Sequence, residues 1–177
     1  MSSDDQARRA YLGLDQAVGK ALQLGFDGFN AASSANISEQ SAQGDLTGTL
    51  KINGQVDQGS SANKGMRLQM GLVEYSDGVV QDTNGDQVSI TYATDTELAA
   101  QPALNLQLKN IPDGTYDGTL SGDFEMTGDL EGTVTLELTF SGLIESGGGG
   151  TQRKDGSTTV TGTATSGGGT YSVNTTL

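Results

Sequence analysis

The chain changes its hydrophobic period once. Over the first segment apolar residues recur every three or four positions, at Ala7, Tyr11, Leu14, Val18, Ala21 and Gly25. That spacing draws a single stripe along a helix of about 3.6 residues per turn. Leu12, Leu22 and Leu24 widen the stripe, so the helix predicted over 4–24 should pack on the rest of the chain. Ser3 and Gln6 have the spacing of a capping box, and Asp4 and Asp5 suit the positive end of a helix. Gly25 reads as the helix stop.

From Leu46 the period is two. Leu46, Leu50, Ile52 and Val56 alternate with polar residues, as do Met66, Leu68, Met70 and Leu72, then Val88, Ile90 and Tyr92, then Leu104, Leu106 and Leu108. Over 116–140 one parity runs from Tyr116 and Leu120 through Phe124 to Leu138 and Phe140, while the other is Thr, Ser, Asp and Glu. Such alternation marks half-buried antiparallel strands. A turn is expected near 127–131, with Gly128 in it, and further strands near 158–165 and 170–176. The motif Gly-[Asp/Thr]-[Leu/Tyr]-x-Gly-Thr-[Leu/Val] appears at 44, 114 and 128, and reads as a repeated strand-entry device.

The expected fold is therefore mainly β (α+β). An N-terminal amphipathic helix packs on or inside a strongly curved, about eight-stranded antiparallel up-and-down sheet or barrel. One domain, 1–177, would hold an N-terminal helical segment (1–29), a polar linker (30–45) and an antiparallel β-meander (46–177). Gly48, Gly54, Gly118, Gly122 and Gly162 fall on the apolar parity and are expected to allow close helix approach or sharp bending.

Composition narrows the chemistry. The chain of 177 residues carries a formal charge of −13, with no Cys, no His and no Trp. That charge repels nucleic-acid phosphates and anionic headgroups. Without Cys or His there is no thiolate nucleophile, no imidazole base and no soft metal site. No apolar run reaches the ~20 residues of a membrane-spanning helix.

Oxygen ligation of a hard cation is the remaining metal chemistry. Asp82, Asn84 and Asp86 copy the first three ligand positions of a calcium loop, with Asp77 as an extra candidate. Gln87 and Ala93 then break the pattern, and Asn84-Gly85 is itself a hairpin-turn signal, so no cofactor is expected. Asp123 and Glu125 share a strand face as a carboxylate pair would, but they lie among Thr and Ser on a solvated face. The glycines at 147–150 and 167–169 lack the Lys-Ser/Thr of a phosphate loop and read as hairpin loops. Arg153 and Lys154 form an isolated basic spot.

The function expected from these features is noncatalytic: a cell-envelope binding module for an apolar small ligand or a protein partner, without nucleic acid or a direct membrane span. The start Ser-Ser-Asp-Asp resembles the polar beginning of a mature bacterial lipoprotein. The expected architecture loosely resembles lipid-carrier lipoproteins, in which helices close a curved sheet. Two alternatives stand beside this reading. One is a structural subunit joining neighbours through sheet edges. The other is an eight-stranded membrane barrel, which fits the alternation but leaves the helix without a role. No feature specifies an oligomeric state, and a cytoplasmic location is the alternative to the envelope.

Overall fold

The computed structural model describes residues 1–81, 85–147 and 150–177. A bent helix, α1 (Asp4–Leu12) and α2 (Asp15–Ala31), is followed by an antiparallel sheet. Ser3 caps α1 by accepting from the Gln6 N–H at 3.2 Å, while the Gln6 side chain takes the Ser2 N–H rather than that of Ser3.

The strands are β1 (Asn36–Gln43), β2 (Thr47–Val56), β3 (Lys64–Ser76), β4 (Val79–Gln81), β5 (Gln87–Ala93) and β6 (Ala103–Lys109). They continue with β7 (Gly114–Gly128), β8 (Gly132–Gly147), β9 (Gly150–Arg153), β10 (Thr159–Ser166) and β11 (Gly169–Thr176). The continuous path through the sheet is β1-β2-β3-β5-β7-β8-β10-β11. The other three strands do not lengthen it. β6 lies end to end with β5 in the gap between β3 and β7, β9 extends along the far end of β8, and β4 pairs only with β5. The expected eight positions are thus present, in a curved sheet of eleven strands.

The sheet does not close on itself by a β1–β11 ladder among the described residues. The helix stands between those two edges. The Asp4 carboxylate accepts from the backbone N–H of Ser172 on β11 at 2.8 Å, and the Lys20 ammonium donates to the carbonyl of Gln43 on β1 at 3.1 Å. Each free edge therefore has one outward backbone group bonded to the helix.

The apolar parity expected from sequence is the buried face except at Leu46, which stands before β2 and is exposed, the register shifting between Thr47 and Thr49. Leu50, Met66, Met70, Leu104, Leu120, Phe124, Leu136 and Val160 are all fully buried, as are Tyr11, Leu14, Ala17 and Ala21 on the helix. The turn expected at 127–131 is the β7–β8 connection, and Gly167-Gly168, both at positive φ, turn β10 into β11. Among the described residues no helix is long and apolar enough to cross a membrane.

Two local readings change. Asn36–Gln43, expected within a linker, is edge strand β1; Ile37 is its one buried large apolar residue, so period two is scarcely visible there. Gly25 does not stop the helix, which runs to Ala31. A Cβ at 25 would stand 2.7 Å from the Met66 sulfur, so this glycine serves helix–sheet approach, and tertiary packing overrides its breaker tendency. The strand glycines serve bending and strand approach instead. At Gly54 and Gly162, with φ of 141° and 146°, a Cβ would lie 2.1 Å from the carbonyl oxygen of Arg67 or Glu137 on the neighbouring strand.

Candidate functional site

The bend in the helix has a side-chain cause. In an unbroken helix Leu14 N–H would bond to the Ala10 carbonyl. Here Leu14 N–H bonds to the Tyr11 carbonyl at 2.8 Å, and the Tyr92 hydroxyl of β5 donates to the freed Ala10 carbonyl at 2.8 Å. A side chain inserted into the helix ladder is a recognised cause of a kink. Gly13 gives it room, since a Cβ there would meet the Tyr92 hydroxyl oxygen at 2.5 Å.

The bend turns the start of α2 toward β9. The Arg153 guanidinium grips the Asp15 carboxylate with both ends of its fork, at 2.7 and 2.8 Å, and donates to the Asp15 carbonyl at 2.7 Å. The Tyr11 hydroxyl donates to the same carboxylate at 2.7 Å. Beside them Tyr116 and Thr158 share a hydroxyl–hydroxyl hydrogen bond at 2.7 Å. Such a fork fixes a guanidinium in orientation as well as charge.

These contacts settle the protonation states. Burial first, and the Asp15 charge second, push the Tyr11 phenol well above its ordinary value of 10.0. Burial also raises Tyr116. Burial disfavours the Arg153 cation, but Asp15 more than compensates and its pKa rises. Near pH 7 the network is a neutral phenol beside a closed ion pair.

In front of it lies a cleft of about 260 Å³. Leu12, Val80 and Leu177 supply apolar walls; Gln16, Arg153 and Lys154 supply polar ones. A second hollow of about 230 Å³ shares Gln16, Arg153 and Asp155 with it and runs along α2 past Gly19 and Gln23. Arg153 therefore stands where the two meet.

A second polar cluster holds the other side of α2. The Asp77 side chain is fully buried and accepts from Lys20 at 2.6 Å, from the Tyr75 hydroxyl at 2.8 Å and from Asp45 N–H at 3.0 Å. Burial works against the Lys20 ammonium, but its bonds to Asp45 and Asp77 outweigh it and raise its pKa above 10.5. Burial, then the bond to Asp77, raises Tyr75.

The calcium candidates Asp82 and Asn84 lie outside the described residues. Asp86 forms an ion pair with Arg8 at 2.5 Å and approaches Arg9 at 3.8 Å, and Asp77 is committed to Lys20. Among the described residues no group of three or more acidic side chains has metal-binding spacing. Asp123 and Glu125 are exposed, and Asp123 accepts from the Thr135 hydroxyl at 2.5 Å.

Sequence reasoning placed Tyr11 in the helix stripe and Arg153 in an isolated basic spot, and did not join them. Asp15, four residues after Tyr11, was the one available signal; nothing local pairs it with a residue 138 positions away. Comparisons with protein-family models, curated proteins and solved structures gave no match.

Proposed function

We propose that this chain is a noncatalytic binding module of the cell envelope, taking an apolar or amphipathic group of a ligand or partner in the cleft over the helix bend. The observation that carries the reading is the juxtaposition of Leu12, Val80 and Leu177 with a guanidinium held rigid by Asp15. Ligand sites combine apolar walls with a few fixed polar groups in this way. At about 260 Å³ the cleft falls below the ~300–1,000 Å³ usual for whole small-molecule ligands, so it suits a short acyl chain or a partner's side chain.

The interior of the sheet offers no comparable support. Its apolar face packs against α1 and α2, and Gly25 lies against Met66. A lipid chain inside would have to displace the helix. Nor do the edges favour assembly by strand addition, since Asp4 and Lys20 already bond to them. The displaced pKa values among the described side chains offer no support for acid–base chemistry. Each resolved shift moves a group away from neutrality: tyrosines, Lys20 and Arg153 upward, Asp57 downward through its bond to Arg67. General acid–base catalysis asks for the opposite. The envelope location rests on the Thr-, Ser- and Gly-rich, Cys-free composition.

The test is calorimetric titration with sodium decanoate, comparing the native chain with Val80→Asp. The expected result is measurable binding that weakens at least tenfold in the variant. Equal affinity in both proteins, or no binding to either at millimolar decanoate, overturns the reading.

A further inference from the structure

The apolar cleft over the helix bend meets, at Arg153, the polar hollow of about 230 Å³ that runs along α2. One wall of the hollow is a single face of α2, with Gln16, Gly19, Lys20 and Gln23 at spacings of three and four. The other wall is Gln152 and Arg153 of β9, followed by Asp155. Gly19 lets the two walls approach, since a Cβ there would stand 3.3 Å from the Arg153 guanidinium.

The charges along these walls are compensated. Lys20 is closed by Asp45 and Asp77, and Arg153 by Asp15. Lys154 in the cleft and Asp155 at the junction carry opposite signs and are adjacent in the chain. What the hollow offers instead is carboxamides. Among the described residues the side chains of Gln16, Gln23 and Gln152 make no hydrogen bond to the protein, and Gln16 and Gln23 are exposed. Each carboxamide presents donor and acceptor side by side. Two neighbouring hydroxyls of a sugar ring present the complementary pair. A carboxylate only accepts, an ammonium only donates, and neither finds a net charge here to pair with.

We propose that the ligand is a neutral glycolipid-type amphipath, with its short alkyl chain between Leu12, Val80 and Leu177 and one sugar ring in the hollow between α2 and β9. The assignment rests on the cleft taking an apolar group, as proposed above, and adds the head that accompanies it. Together the two spaces reach the ~300–1,000 Å³ of a whole small-molecule site, which the cleft alone does not. No aromatic ring lines the hollow, so the sugar gains no stacking and the alkyl chain supplies the larger part of the affinity. A free sugar is therefore not a ligand.

The test is calorimetric titration of the full chain with octyl β-glucoside, kept below its micellar concentration, with 1-octanol and with glucose. The comparison protein is Gln23→Leu/Gln152→Leu, whose two residues line the hollow and not the cleft. Melting curves establish that it is folded. The expected result is that the glucoside binds at least tenfold more tightly than 1-octanol and that glucose does not bind. The double variant should lose at least fivefold in glucoside affinity and keep its affinity for 1-octanol. Equal affinity of the native chain for glucoside and octanol, or unaltered glucoside affinity in the double variant, overturns the sugar head and leaves the apolar cleft standing. Binding of neither alkyl compound overturns both.

Discussion

The Tyr92 hydroxyl donates to the Ala10 carbonyl at 2.8 Å, from a fully buried ring on β5 into the break between α1 and α2. One hydrogen bond thereby supplies the acceptor's partner, bends the helix and directs Asp15 toward Arg153. Tyr92→Phe leaves a buried carbonyl unbonded and should cost about 1–3 kcal/mol, read from urea unfolding. An unchanged midpoint would show that the carbonyl finds another donor.

Gly13→Ala tests the same place from the helix side. Its Cβ would press on the Tyr92 ring and hydroxyl, so the single variant should lose about 1–3 kcal/mol. Because the nearest clash is with the hydroxyl itself, Gly13→Ala combined with Tyr92→Phe should cost less than the two separate losses added together. Strict additivity in that double-mutant cycle would contradict the contact.

The Arg153–Asp15 pair is largely buried, with side chains 13% and 18% exposed. Arg153→Met strands a carboxylate in a place it cannot readily hydrate, and should destabilise by about 3 kcal/mol. Arg153→Met with Asp15→Leu removes both charges and should recover much of that loss. A double variant as unstable as the single one would mean that the pair does more than satisfy itself.

Alkaline pH acts through the buried phenols. Tyr11, Tyr75, Tyr92 and Tyr116 all have raised pKa values, each with burial as the largest cause. Below pH 10 both folded and unfolded chains hold these protons, and the stabilisation is complete. Above pH 10 the unfolded chain releases protons that the folded chain keeps, so stability falls as pH rises. Absorbance at 295 nm and circular dichroism should therefore change together, the four phenols ionising only as the fold is lost. Smooth ionisation at pH 10 in an intact fold would contradict their burial.

The fold was legible because its signals are local. Period two from Leu50 to Phe140 names most of the buried face, and Gly128 and Gly167-Gly168 mark turns whose positive φ few other residues accept. What sequence left unread depends on distant partners. β1 is polar because one side of it meets β2 and the other a helix, so only Ile37 needs to be apolar. Gly25 looks like a stop until Met66, forty-one positions later, is placed against it. The cleft was invisible for the same reason: its walls come from the helix bend, β4, the β9–β10 connection and Leu177.

The most direct measurement is an amide-resolved titration of the folded chain with sodium decanoate. The account predicts chemical-shift changes concentrated at Gln16, Val80, Thr158 and Leu177, around the cleft, with Met66, Leu68 and Met70 undisturbed behind α2. Changes concentrated at those three core residues, showing decanoate between helix and sheet, would contradict it.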